Sequence, residues 1–321
     1  MLVIRYRRSM NQYDDFQPNV AALLKQQEAT LPSVAAAARS ADGLGPIGRL
    51  TSRLRLYTLG AAVRAGLHKR LVYANVRLDW FFEFQEYWLH ELGNRPLHPH
   101  DFYHLLGVYR QRMQEASFEG LQDETDTRHL DAWRDARLVY YLFAHTYRQA
   151  LSPLRVHPYV RYVPRGGRVA EFGCGALPIV APLARWYRHL DLQLVAADIP
   201  HLMFHYARWR ARRYPFVTVL PIEPGDDAPL PGTYDTIFCL ETLEHVPRPL
   251  AVLEHFHRVL RPGGHLIFDY IRSDAVGLDT RAALRDRIPA LRFVLEHFDI
   301  VSGRVATDGS HVETSVARKR A

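Results

Sequence analysis

From Ser152-Pro153 to the end of the chain, short apolar runs alternate with stretches of helical periodicity, and this alternation restricts the fold more than any other feature. Val169–Phe172 reads as a strand that runs into glycine, Pro178–Leu190 as a helix, Leu192–Ala197 as a strand ending at Asp198, and His201–Arg213 as a helix. Phe216–Leu220 and Tyr234–Leu240 read as strands, Leu250–Leu260 as a helix, and His265–Tyr270 as a strand after a Pro-Gly-Gly turn. Leu278–Ile288 is expected to be helical, and Asp299–Gly303 and His311–Ala317 to form a last strand pair. Repeated strand–helix units bury their apolar faces by laying parallel strands side by side beneath helices, which predicts a doubly wound, mostly parallel α/β sheet with an antiparallel C-terminal strand. Ligands of such sheets sit at the carboxyl ends of the strands, where the strand order reverses.

Residues 1–152 carry no strand pattern and are expected to form an all-helical region, with 153–321 as the α/β domain. Leu50, Leu54, Tyr57 and Ala61 recur at helical spacing, as do Phe81, Phe84, Trp88 and Leu92. The second helix should stop at Gly93-Asn94-Arg95-Pro96, because proline cannot continue the hydrogen-bond ladder. Further helices are expected from about Pro99 to Ala116 and from about Thr127 to Ala150. The aromatic run Trp80, Phe81, Phe82, Phe84, Tyr87 and Trp88 reads first as core or lid packing and second as an acceptor pocket.

Charge is patterned along this half. Gly43–Leu78 contains seven bases and no acid, whereas Asp79–Asp131 contains eleven acids and four bases. Two helices with solvated or mutually paired faces would explain it. A basic amphipathic helix over about residues 47–70, touching an anionic membrane surface or an acidic acceptor, is the second reading, and Gly60 and Gly66 interrupt that stretch.

The net charge of +7 arises from 41 bases against 34 acids, only three of them lysines, and is too modest and too evenly spread to argue for nucleic acid. No apolar run is long enough to span a membrane, and no secretory signal is visible. Two cysteines, Cys174 and Cys239, cannot build a disulfide framework or a cysteine-rich zinc site, so a cytoplasmic setting is expected. The histidine pairs His98/His100, His201/His205 and His255/His257 lack accompanying ligands at metal spacing, and no metal is expected.

The first α/β strand runs into Glu171-Phe-Gly-Cys-Gly-Ala-Leu-Pro178, whose glycines let the backbone turn tightly and approach a ligand. A dinucleotide fingerprint would need a third glycine where Pro178 stands, and proline there removes an N–H that a pyrophosphate would use. Asp198, at the tip of the second strand, suits two ribose hydroxyls. Tyr234-Asp-Thr-Ile-Phe-Cys-Leu-Glu-Thr-Leu-Glu-His-Val-Pro then leads through a helix to Arg258-Val-Leu-Arg-Pro-Gly-Gly264.

Taken in this order, these segments resemble the class I S-adenosylmethionine-dependent methyltransferases over about residues 155–321. The resemblance implies a Rossmann-like domain, S-adenosyl-L-methionine as cofactor, and direct methyl transfer to an acceptor, which we expect to be a small molecule methylated on oxygen or nitrogen. It places Glu171, Gly173, Cys174 and Gly175 around the methionine part of the cofactor. Asp198 falls on the ribose and Ile199 beside the adenine. Asp226 or Asp227 falls at the adenine amino group, and Leu240 and Glu241 near the methyl donor. His245 is the candidate general base if the acceptor must lose a proton. Asp269, Tyr270 and Arg272 end the fifth strand and are candidates for touching the acceptor. An NAD-dependent oxidoreductase and a catalytically silent cofactor-binding scaffold are the competing readings.

Overall fold

The structure, a computed structural model, describes residues 18–28, 50, 54, 57, 58, 61, 65, 79–114, 132–149, 152–223, 225–271, 279–308, 310 and 312–321. Its centre is a seven-stranded sheet of β1 (Arg168–Phe172), β2 (Gln193–Asp198), β3 (Val217–Pro221), β4 (Tyr234–Cys239), β5 (Leu260–Tyr270), β6 (Phe298–Ser302) and β7 (Val312–Lys319). The order is β3-β2-β1-β4-β5-β7-β6, with β1 to β5 parallel and β7 antiparallel to both its neighbours. The strand order therefore reverses between β1 and β4, and the carboxyl ends of these two strands open the crevice in which such sheets bind ligands.

The Pro-Gly-Gly turn lies inside β5. Tyr234 pairs with Leu260 and Thr236 with His265, so the intervening residues loop out of the ladder, with Gly263 in the left-handed region at φ +76°. In chain order the helices are α1 (Val20–Glu28), α2 (Asp79–Glu86, continued by a π turn Tyr87–Glu91), α3 (Pro99–Gln114), α4 (Val139–Arg148), α5 (Ser152–Val156), α6 (Val180–Trp186), α7 (Leu202–Ala211), α8 (Pro249–Val259), α9 (Arg281–Arg285) and α10 (Arg287–His297).

Three sequence expectations are corrected. The helix expected over Pro178–Leu190 starts at Val180, leaving Pro178 in the preceding turn, and after Trp186 it gives way to a 3-10 turn, Arg188–Leu190. The helix expected over Leu278–Ile288 is the short α9, and a second helix, α10, follows it, because Pro289 falls within the first turn of α10, where its missing N–H disturbs nothing. The helix expected over Thr127–Ala150 is α4 entered through a 3-10 turn at Ala136–Leu138; Asp135 accepts from Arg137 N at 2.8 Å there, and the expected start lies outside the described residues. Most of the basic stretch 47–70, with Arg272 and Leu278, also lies outside them.

The helical region shares its core with the α/β half. Trp80, Phe81, Phe84, Tyr87 and Trp88 of α2 pack with Phe102 of α3, Leu142 and Phe143 of α4, and Leu202, Met203, Tyr206 and Trp209 of α7. Phe84 meets Phe102, Phe143 and Tyr206 edge-on at centroid distances of 5.3, 5.0 and 5.9 Å. The aromatic run is thus core, apart from exposed Phe82.

Candidate active site

The turn after β1 is fastened to the end of β2. Gly173 N and Cys174 N both donate to Ala197 O, at 2.9 and 3.1 Å, and Gly175 N donates to Asp198 Oδ2 at 2.6 Å. The other oxygen, Oδ1, accepts from Ile199 N at 2.8 Å and lies 3.3 Å from His201 Nε2. His201 Nδ1 accepts from Met203 N and Phe204 N, capping α7, so its proton resides on Nε2 and points the ring toward Asp198. Gly173 has φ +70°, and a Cβ there would clash with the Thr242 side chain, so glycine permits the turn and the segment after β4 to touch. Gly175, at φ +44°, has open space where a Cβ would stand.

Glu171 is placed differently from its expected role. Its carboxylate is buried and accepts from Ile179 N at 3.1 Å and Val180 N at 2.8 Å, filling the N-terminus of α6. That end of α6 is where a dinucleotide's pyrophosphate would bind, so a carboxyl side chain already stands in its place, pushed up to about 8 by burial against the two backbone hydrogen bonds, and the NAD reading is not favoured.

A cleft of about 640 Å³ opens at the carboxyl ends of β1, β2 and β4. Gly173, Cys174, Gly175, Asp198, Ile199, Asp226, Asp227, Leu240, Glu241 and His245 all line it, whereas Glu171 and Tyr270 do not. Tyr270 is fully buried and its hydroxyl donates to Ala283 O, which removes it from the candidate acceptor contacts. Asp269 instead holds the end of β4, accepting from Glu241 N at 2.6 Å, and burial pushes its carboxyl up to about 6. Asp227 pairs with Arg248 at 2.7 Å, and Asp226 accepts from Ala228 N at 2.9 Å within its own turn.

Several cleft residues have no local sequence signal. Trp133, Tyr140, Tyr141, His145 and Arg148 come from the helical region, and Arg155 comes from α5. Arg148 and Arg155 are the only arginines or lysines among the described lining residues, and both face Glu241, at 3.0 and 3.6 Å. Burial raises the Glu241 carboxyl, but Arg148, His145 and Arg155 outweigh that and leave it below the ordinary glutamate range. Glu241 has a left-handed backbone at φ +50°, an uncommon conformation for a residue with a Cβ and one found at functional sites. His145 is driven down to about 4, chiefly by burial and then by Arg148, and is neutral near pH 7.

His245 Nδ1 lies 3.3 Å from Asp279 Oδ1, and its ring meets Trp133 edge-on at 5.2 Å. The neighbouring Glu244 is buried, with Oε2 lacking a hydrogen-bond partner; burial, followed by Asp269, Asp279 and Glu241, pushes its carboxyl up to about 8. Two of the other paired histidines serve locally. His205 Nδ1 meets Tyr87 Oη at 2.7 Å, and His255 Nε2 accepts from Leu230 N at 3.1 Å. Both cysteines are buried and free.

A glycine turn joined to the acidic tip of the next strand, beside a roomy cleft at the switch point, defines the class of α/β enzymes that bind an adenosyl group. A methyltransferase domain model matches residues 143–305, and the chain belongs to that family of S-adenosylmethionine-dependent methyltransferases. Similar proteins include a ubiquinone biosynthesis O-methyltransferase of Xanthomonas campestris pv. campestris, 32% identical over 120 residues, covering 36% of this chain and 48% of the relative. Another of the same name, from Xylella fastidiosa, is 33% identical over 125 residues, covering 38% and 49%. The chain thus spans about half the length of the curated relatives it matches. Among solved structures, a methyltransferase from Pyrococcus furiosus aligns over 53% of this chain and 83% of its own, at 17% identity and a TM-score of 0.37. A SAM dependent methyltransferase from Aquifex aeolicus covers 53% and 92%, at 19% identity and a TM-score of 0.39.

Proposed function

We propose that the chain transfers the methyl group of S-adenosylmethionine to a hydroxyl oxygen of a small molecule bound between the sheet and the helical region. The observation that carries this reading is the His245–Asp279 pair in the wall of the cleft that also contains the glycine turn and Asp198. The cofactor supplies an electrophilic methyl on a sulfonium centre. The residues fit its parts. Gly173, Cys174 and Gly175 border the methionine portion, and Arg148 and Arg155 offer the cationic side chains that its carboxylate requires. Asp198 holds the ribose, Ile199 packs beside the adenine, Asp226 or Asp227 reaches the adenine amino group, and Leu240 and Glu241 flank the donor region. Glu171 is a positioning residue here, because it sets the start of α6 behind the turn.

Trp133, Tyr140 and Tyr141 supply flat apolar surface that orients the acceptor and keeps water from the reacting atoms. A hydroxyl must lose its proton as the oxygen attacks. His245 accepts that proton on its imidazole and passes it to solvent, while Asp279 holds the ring through Nδ1. The relatives' names, which specify O-methylation, support oxygen over nitrogen. A panel of hydroxyl- and amine-bearing small molecules, scored by S-adenosylhomocysteine formation, tests the reading. His245→Ala is expected to lower kcat on the hydroxyl acceptor by about 10²–10⁴-fold while leaving cofactor affinity intact. Turnover of amines only, or an unchanged kcat in this variant, would refute it.

A further inference from the structure

Glu244 lines the cleft without a part in the proposed cofactor contacts or proton transfer. It stands in a 3-10 turn, Leu243–His245, just after β4, and is only 3% exposed. Its Oε2 is buried and has no hydrogen-bond partner. A buried polar atom left unpaired costs stability, so its presence in a cleft wall calls for a partner that arrives with a ligand.

The donors around it are committed elsewhere. Thr280 N donates to the main-chain carbonyl of Glu244 at 3.0 Å, Thr280 Oγ1 to Val246 O at 3.2 Å, and Tyr270 Oη to Ala283 O. The titratable groups that act on the side chain are Asp269 and Tyr270 of β5, Cys239 of β4, Glu241, and Asp279 before α9. Packed on the same turn, α9 carries Arg281 and Arg285, the second paired with Asp286 at 2.8 Å. Burial first, and then the Asp269, Asp279 and Glu241 carboxyls, keeps a proton on Glu244 up to about pH 8. A carboxylic acid in that state donates a hydrogen bond, which a carboxylate cannot do.

Its place in the sheet order separates it from the cofactor residues. Under the proposed function the cofactor lies against Gly173–Gly175 after β1 and Asp198 at the end of β2. In the order β2-β1-β4-β5, the turn after β4 falls beyond β1 from Asp198. Glu244 and His245 are consecutive in that turn and both line the cleft, so the groups they meet lie close together.

We propose that Glu244 selects the acceptor by donating a hydrogen bond to an uncharged oxygen beside the hydroxyl that is methylated, an inference that rests on the proposed function. The acceptor class is then a molecule with two neighbouring oxygens, one that gives its proton to His245 and one that accepts from Glu244. A molecule lacking the second oxygen leaves the buried acid unpaired, and that loss is the source of discrimination.

Phenol and 2-methoxyphenol, whose hydroxyls are similarly acidic, test this through S-adenosylhomocysteine formation. The parent chain is expected to favour 2-methoxyphenol at least about tenfold in kcat/KM at pH 7, chiefly through KM. The preference should shrink between pH 7 and pH 9, as Glu244 gives up its proton above about 8. Glu244→Leu should bring the ratio to about one. Glu244→Gln, whose amide still donates, should keep the preference and remove its pH dependence. Both variants should bind S-adenosylhomocysteine as the parent does, because Glu244 lies outside the cofactor contacts. A glutamate with only a structural role would not move the ratio between two acceptors. Equal use of the two phenols by the parent, a preference that survives in Glu244→Leu, a stronger preference for the cationic 2-(aminomethyl)phenol, or turnover abolished by EDTA would overturn the inference alone. No turnover of any of these phenols, while S-adenosylhomocysteine still binds, would refute the hydroxyl-acceptor reading and the inference with it.

Discussion

Asp198 fixes the glycine turn through Gly175 N and the start of the next loop through Ile199 N, and under the proposed function the same oxygens would hold the ribose. Asp198→Ala is therefore expected to lower S-adenosylmethionine affinity at least about tenfold by titration calorimetry, the size of one or two lost charged hydrogen bonds. A folded variant with undiminished affinity would remove the ribose assignment. The two glycines of the turn should behave differently. Gly173→Ala combines a positive φ with a clash against Thr242 and is expected to cost about 2–3 kcal/mol in urea denaturation. Gly175→Ala meets open space and should carry only the backbone penalty, about 1 kcal/mol.

At the scale of elements, one buried side chain ties the glycine turn to the helical region. Arg210, on α7, donates to Ala176 O in the turn and to both carboxylate oxygens of Glu83 on α2. Arg210→Met leaves the partly buried Glu83 with the more exposed Arg213 as its ion-pair partner among the described residues, and a loss of about 2–3 kcal/mol is expected. Adding Glu83→Leu should restore much of it, because the unpaired charge disappears; a double variant as unstable as the single would show that the arginine acts by packing alone. This join also marks what the sequence could reveal. The parallel strands, the glycine turn and Asp198 were legible because each rests on local spacing within a few residues. Arg148, Arg155, Trp133 and Asp279 were not, because they reach the cleft only through tertiary packing of α4 and the segment leading into it, α5, and the segment before α9. Glu171 was legible as a conspicuous acid but not as a helix cap, since its partners lie eight and nine residues on, across the turn.

For the molecule as a whole, the cleft is a shared product, with one wall from the helical region and the rest from the sheet, so catalysis depends on the two halves staying docked. His205 on α7 and Tyr87 in the π turn stand at that contact, both buried. Burial drives His205 down to about 4, with Arg212 and Arg208 adding to the effect, and burial raises the Tyr87 hydroxyl well above its usual range. Near pH 7 the phenol therefore keeps its proton and shares a hydrogen bond with Nδ1 of neutral His205. The folded-state value lies below the ordinary histidine value of 6.5, so the stabilisation is complete above that pH and is lost as pH falls toward about 4, by about 3 kcal/mol in the limit. His205→Gln retains an acceptor for Tyr87 but does not titrate. Between pH 7 and pH 5 the parent chain is expected to lose about 2 kcal/mol more stability than this variant in parallel urea titrations. The loss should appear with increased exposure of the tryptophans packed at the contact, read by their fluorescence. Equal pH slopes for parent and variant would mean that His205 can take up its proton without separating α7 from α2.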